Sequence, residues 1–442
     1  IIAYDSEIEA FKSELQPYND RSRREALGFV QGLYASGGTN IDGALAKAFG
    51  MLKDSSRPNY VIFMTDGQPT VGETKEGKIV QAAEKQNNVR ARLISFGVGY
   101  DVNSRLLDRL SRACFGQSAY VRPNEDIEAH VSRLYNKIST PVMTDVAVAF
   151  EFDDVNVEEG TPVSRTYPKR LTDLFEGEQL VLVGRYRKTG VAKVKITGSI
   201  TDRQHTFDFP ARLVELSGDD SYGFVAKLWA MRRIGEIIDE LDLVGQNEEL
   251  IKELVSLSTE HGILTPYTSF LADDQAGMGE LADARRGGEL SLERSSLALR
   301  RLEEAEGQAA FVQRALKSQL QAASNAYGAW EPLASGELPT QAAGLGGAVV
   351  VDLDRDQMTE AKNVRQVGNL TFYRRGDKWV SAEVAKQDLA ELNENIRKIK
   401  RFSKDYFDLV QKNSKDANAA LSQQVAGEEL YLEVDGETVV IE

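Results

Sequence analysis

Cysteine is almost absent. Cys114 is the single one in 442 residues, so no disulfide can form within the chain. Histidine is nearly as scarce, and the scatter of His130, His205 and His261 leaves no nitrogen- or sulfur-rich zinc cluster. A bound metal would have to be held by oxygen. No apolar run approaches the roughly 18 residues that a membrane-crossing helix needs, so no membrane span is expected. Positive charge is in deficit too: 53 Lys and Arg stand against 68 Asp and Glu, a formal charge of −15. Such a chain has no general electrostatic hold on nucleic acid or on an anionic membrane. No histidine has a carboxylate or serine partner readable from spacing, so no nucleophile–base pair supports catalysis.

What is present is ordered alternation. At roughly 150 residues per domain, the length allows about three domains. Ile1 to Tyr4 reads as a strand interior with Glu7 to Phe11 as its turned-back neighbour. The chain starts without an initiator Met or a charged-then-apolar leader, and a preceding segment is therefore expected. Ala26, Phe29, Val30 and Leu33 share a helical face between Asp20 and Tyr34. The glycine loop Ser36-Gly37-Gly38-Thr39-Asn40 opens a second helix with Ala44, Leu45, Ala48 and Leu52. Tyr60 to Met64 is a continuous apolar run, which predicts a parallel strand buried on both faces. Helix and strand signals alternate on to about residue 140. The fold class predicted for 1–140 is α/β, a doubly wound and mostly parallel sheet.

Beyond it the periodicity changes. Val142 to Phe152, Gln179 to Arg187, Ala192 to Ile200 and Thr206 to Arg212 alternate as strands, predicting an antiparallel β-sandwich over 141–217. Two amphipathic runs about Gly245 predict a helical hairpin over 218–273, with Thr265 to Ala272 as a returning strand. Residues 274–348 drift to Ala, Glu, Arg, Gln, Gly and Ser and read as a mobile or helical spacer. An α+β region is expected over 349–442, with hairpins about Arg375-Gly376-Asp377 and Asp435-Gly436. A helix is predicted over 386–411, with Leu389, Leu392, Ile396, Ile399, Phe402 and Tyr406 in one stripe.

Ligands of a doubly wound sheet gather beyond the carboxyl ends of its strands. Two polar loops lie at such ends, Gly37-Gly38-Thr39-Asn40 and Thr65-Asp66-Gly67. A hydroxyl and a carboxylate there are hard oxygen donors suited to Mg²⁺ or Ca²⁺. Thr39 could equally cap a helix, and Asp66-Gly67 could be an ordinary turn. Three other patterns carry nothing. Gly72 to Ile79 mimics a phosphate loop without its hydroxyl residue. Asp352, Asp354 and Asp356 lack the glycine and bidentate glutamate of a calcium loop. Cys114, Trp229 and Trp379 lie in apolar settings and read as core.

Gly37-Gly38-Thr39-Asn40-Ile41 together with Phe63-Met64-Thr65-Asp66-Gly67-Gln68-Pro69-Thr70 resembles the von Willebrand factor A domain. More narrowly, it is similar to the inter-alpha-trypsin inhibitor heavy chain family and its bacterial relatives. Tyr167-Pro168 to Gly177, Leu182 to Tyr186, Leu228 to Ile234, Leu264 to Phe270 and Val364 to Gly368 resemble later segments of that family. The resemblance implies a metal-ion-dependent adhesion site with Thr39 and Asp66 as ligands, rimmed by Gly38, Asn40, Gly67 and Gln68. Its first loop, Asp-x-Ser-x-Ser, occurs nowhere in the sequence, and the strand and helix that carry it are expected upstream. Mg²⁺ (or Ca²⁺ or Mn²⁺) is thus expected only if that loop is supplied.

The resemblance implies a non-enzymatic adhesion protein whose partner presents an acidic residue. An upstream fragment of the same protein is expected in the sheet, between the Ile1 and Tyr60 strands. The alternative is a structural subunit that self-assembles into a homo-oligomer, with the A domain only a packing module. An extracytoplasmic location (secreted, periplasmic or cell surface) is expected from the resemblance.

Overall fold

The chain opens with an antiparallel hairpin of β1 (Ile2–Tyr4) and β2 (Ile8–Ala10), with Ala3 opposite Glu9. Helix α1 (Asp20–Gln31) follows a reciprocal cap: Asn19 accepts from the Arg21 and Ser22 amides, and the Ser22 hydroxyl accepts from the Asn19 amide. In this computed structural model the described residues are 1–123, 125–138, 141–152, 161–171, 173–201, 203–215, 222–265, 267–268, 289–302, 308–324, 347–352, 357–367, 370–386, 396–413, 415–434 and 436–442.

Helix α2 (Ile41–Met51), strand β3 (Tyr60–Thr65), helix α3 (Glu76–Gln86), strand β4 (Arg92–Val98), helix α4 (Ser104–Ala113), strand β5 (Ser118–Val121) and helix α5 (Ile127–Ile138) alternate as predicted. The three strands form a parallel sheet in the order β3-β4-β5. Alternation along β4 divides the core. Leu93 faces Ile41, Leu45, Ile79, Leu106 and Leu110, while Ile94 and Phe96 on the opposite face meet Val121 and Leu134.

One strand departs from expectation. β3 is not buried on both faces: Met64 is 48% exposed, and Tyr60 to Ile62 are half-buried. The cause is position. β3 is the sheet edge, and β1 pairs only with β2 among the described residues. Helix α1 buries none of its residues, and Leu27, Val30 and Leu33 stay exposed.

The middle of the chain holds a four-stranded sheet in the order β11-β10-β6-β8, made of β6 (Pro141–Phe152), β8 (Leu174–Phe175), β10 (Gly190–Ile200) and β11 (Arg203–Leu213). A separate pair joins β7 (Val163–Tyr167) to β9 (Val183–Tyr186). Helices α6 (Phe224–Val244) and α7 (Glu248–His261) form the hairpin that Gly245 predicted, and Gly262 ends α7 in a left-handed turn. The returning strand is only partly described: Tyr267 and Thr268 lie in a short helical turn, and residues 269–272 lie outside the described residues.

Two helices occupy the stretch read as a spacer, α8 (Glu289–Leu302) and α9 (Gln308–Ala322). α9 packs on α6, α4 and β5, with Gln313, Arg314, Lys317 and Leu320 buried. This part of 274–348 is a wall of the fold, and not a spacer.

The C-terminal region is a seven-stranded sheet in the order β12-β13-β14-β15-β17-β18-β16. Its strands are β12 (Gly347–Asp352), β13 (Gln357–Val367), β14 (Leu370–Arg375), β15 (Lys378–Ser381), β16 (Arg397–Ile399), β17 (Glu429–Val434) and β18 (Glu437–Ile441). Both predicted hairpins are present, as β14–β15 and β17–β18. The continuous helix over 386–411 is not. Arg397–Ile399 is a strand parallel to β18, and among the described residues of this stretch the only α-helix is Lys404–Lys412 (α10); Leu389 and Leu392 lie outside the described residues. Ile399 is buried, whereas Phe402 is 63% exposed, so the stripe does not share one face. Sheet pairing overrides helical periodicity here. Helix α11 (Lys415–Gln423) then closes this core with Ala417, Ala420 and Leu421.

Candidate functional site

The two polar loops meet at the carboxyl end of β3. Asn40 caps α2 by accepting from the Gly43 amide at 3.0 Å, which frees Thr39 from the capping role. The Thr39 amide donates to Thr70 Oγ1 at 2.7 Å, and the Thr39 carbonyl accepts from the Thr70 and Val71 amides at 3.0 and 3.2 Å. These bonds bind the Thr39 loop to the segment just past Asp66. A methyl group placed on Gly67 would lie 3.4 Å from Thr39 Oγ1. The Thr39 hydroxyl therefore sits against the residue that follows Asp66, and Asp66 itself is exposed.

Glycine is required at this junction. A side chain at Gly38 would come within 2.6 Å of Thr70 Oγ1 and 2.7 Å of Val71, and Gly37 adopts φ +69°. Gly67 and Gln68 are half-buried.

Residues outside the predicted set complete the rim. The Gly38 amide donates to Ser6 Oγ at 2.8 Å, and the Asn40 amide donates to the Asp5 carbonyl. Ser36 Oγ donates to Asp5 Oδ2 at 2.6 Å, which with backbone amides holds the Asp5 carboxyl below its ordinary range. Tyr4 donates its hydroxyl to the Met64 carbonyl at 2.9 Å and stacks on Phe63. Burial pushes the Tyr4 phenol up to about 12, and the Asp66 charge acts in the same direction. Asp5 and Ser6 give no sequence signal, because their role depends on a hairpin turn that brings them under a loop some thirty residues away.

Among the described residues, no three Asp, Glu, His or Cys side chains converge as a cation cage. Thr39 and Asp66 offer one hydroxyl and one carboxylate, which do not fill the octahedral set that Mg²⁺ demands. By themselves the residues present do not fit the ion. The Nε2 of His130 lies 3.6 Å from Glu125, beside the start of α5 and beyond hydrogen-bond distance. No helix among the described residues is long and apolar enough to cross a membrane.

Residues 1–120 match the family profile described as von Willebrand factor type A domain. The chain therefore carries a von Willebrand factor type A domain. Inter-alpha-trypsin inhibitor heavy chain H2 of Homo sapiens is 27% identical over 304 residues, covering 64% of this chain and 31% of that protein. Heavy chain H4 of Homo sapiens is 25% identical over 296 residues, covering 62% and 31%. The chain is thus similar to inter-alpha-trypsin inhibitor heavy chains, and it spans about a third of the length of these curated relatives. A solved von Willebrand factor type A structure from Catenulispora acidiphila aligns at a TM-score of 0.43 and 15% identity, over 66% of this chain and 79% of that one.

Proposed function

We propose that the chain is a non-enzymatic adhesion module that meets a protein partner through the rim of Gly38, Thr39, Asn40, Asp66, Gly67 and Gln68. One observation carries this. The Thr39 loop is hydrogen-bonded to the segment just past Asp66, the Thr39 hydroxyl lies beside Gly67, and Asp66 is exposed, which supports reading the hydroxyl and the carboxylate as one rim. A von Willebrand factor type A domain supports the general reading of a protein-interaction role.

The finer reading concerns charge. A partner carboxylate facing Asp66 directly would be repelled. A divalent cation (Mg²⁺, Ca²⁺ or Mn²⁺) shared between them would make the contact attractive. Thr39 and Asp66 would supply two of its oxygen ligands, and polypeptide outside residues 1–442 would supply the rest. The free edge of β3 and the exposed apolar face of α1 are where we place that polypeptide, as an added strand and helix of the same protein. A secreted, periplasmic or cell-surface location goes with this reading. The alternative of a self-assembling subunit drew on the 274–348 spacer together with the 386–411 helix, and β16 interrupts the second of these.

The test is an immobilised chain, alone and joined to its upstream polypeptide, titrated with a capped peptide carrying one glutamate. Binding in Mg²⁺ that is lost in EDTA and in Asp66→Ala is expected for the joined protein. Equal binding by wild type and Asp66→Ala would end the metal-dependent reading.

A further inference from the structure

A cavity of about 750 Å³ runs along one edge of β6, away from the rim. Six consecutive residues line it, Asp145 to Phe150, so the cavity follows the backbone and not one face of the sheet. β10 occupies the other edge of β6 from Ala147 to Phe152, whereas β8 pairs with Pro141 and Met143 only. Past Met143 that edge has no strand partner among the described residues. Across the cavity stand Pro162, Val163 and Thr166, at and within β7, whose only strand partner among the described residues is β9. The β6 edge from Val146 onward and the start of β7 thus border one cavity, while the Asp145 amide is already held by Asp173 Oδ1 at 3.2 Å.

The chemistry of the walls is uneven. Val146, Val148, Phe150 and Leu182 are apolar, and across the sheet Val148 and Phe150 continue in register to Ile196 with Phe207 and Val194 with Phe209. Phe207 and Phe209 are 41% and 49% exposed, so this face is still uncovered. Cations gather at the Asp145 end. Arg90 and Arg170 both lie over the Phe115 ring, at 4.9 and 5.9 Å. Among the described residues Arg170 meets no carboxylate, and Arg90 reaches Asp145 at only 3.5 Å. Asp173 is already engaged by Arg92 at 2.7 Å and by the Tyr60 hydroxyl at 2.8 Å. On a chain of −15 this is a local surplus of positive charge.

We infer that the slot between β6 and β7 accepts an extended partner peptide as an added strand, with alternate apolar residues along Val146, Val148 and Phe150 and an acidic residue at Arg90 and Arg170. Backbone hydrogen bonds to the free edges would supply affinity, and the guanidinium pair would fix which end of the peptide lies at Asp145.

The test uses the full chain and a capped heptapeptide of alternating valine and threonine with an aspartate pair at one end, made in both chain directions. Hydrogen exchange followed by mass spectrometry reads the 145–150 amides. Saturable protection of that segment by one peptide direction is expected. It should weaken by about tenfold when lysines replace the aspartates, and similarly in Arg170→Glu, whose side chain is exposed. N-methylation of the threonine amides should abolish it, because an added strand needs those donors. No protection of 145–150 up to millimolar peptide would overturn the inference. So would equal binding of the N-methylated peptide, which would make the slot an apolar groove, or equal binding of the lysine peptide.

Discussion

Lys317 of α9 holds its ammonium 3.1 Å from the Asp239 carboxylate of α6, with 4% of its side chain exposed. The same ammonium bonds Asp108 of α4 and lies 3.7 Å from Asp242. Arg314 pairs with Asp242, and Arg112 pairs with Asp239. A residue from the far side of the β-rich middle region thus neutralises a carboxylate inside the A domain.

Replacing Lys317 by methionine would keep the volume and remove the charge. Buried acids would then lack their shared cation, at a cost of about 3–5 kcal/mol. The urea midpoint of the variant should fall accordingly. A midpoint equal to wild type would show that the cluster is solvated and carries little energy.

Burial acts to raise the Asp108 carboxyl. The Lys317 and Arg314 charges, with hydrogen bonds from Lys317 and Ser118, nevertheless hold it below its ordinary 3.8. A lowered folded value means that this stabilisation is fully present above pH 3.8 and is lost as pH falls through the folded value. Acid titration of stability in wild type and Asp108→Asn should therefore diverge least at the lowest pH. Parallel curves from pH 7 to pH 2 would contradict the assignment.

Cys114 is fully buried, and burial pushes its thiol up to about 11. The thiolate is the reactive form, so an aromatic disulfide reagent at pH 8 should not label the native chain. One equivalent should react promptly in urea. Rapid native labelling would mean that the α4 terminus opens.

Gly116 admits no side chain, for an added methyl would lie 1.8 Å from the Leu93 carbonyl oxygen. That oxygen belongs to the backbone of a central strand and cannot step aside. Gly116→Ala should destabilise by about 3 kcal/mol or more, read by thermal or urea unfolding. Gly77→Ala, in helix α3 with nothing within 4 Å, is the control and should be neutral to slightly stabilising.

The sequence disclosed what local pattern controls. Tyr60 to Thr65, Arg92 to Val98 and the leucines of α4 announce their elements through apolar spacing, and the two rim loops stand where the strands end. Cys114, Trp229 and Trp379 are buried as their neighbours suggested. Pattern fails where partners are distant. Arg314 and Lys317 sit in an alanine- and glutamine-rich stretch that looks solvated, and only the acids of α4 and α6 explain their burial. β16 carries a helical stripe that parallel pairing with β18 overrides. The exposure of Met64 follows from sheet order, which no single segment encodes. At the rim, Thr39 and Asp66 were legible from loop motifs, whereas Ser6 and Thr70 depend on the closure of two turns.

The grip of Lys317 on Asp108 bears on where this polypeptide can be cut. A fragment ending near residue 140 has the contiguous look of a self-sufficient A domain, yet it would strand an anion beside Tyr120 and Ser118 with its counter-charge left on the discarded piece. Excision at that boundary removes a keystone that chain order places almost two hundred residues downstream.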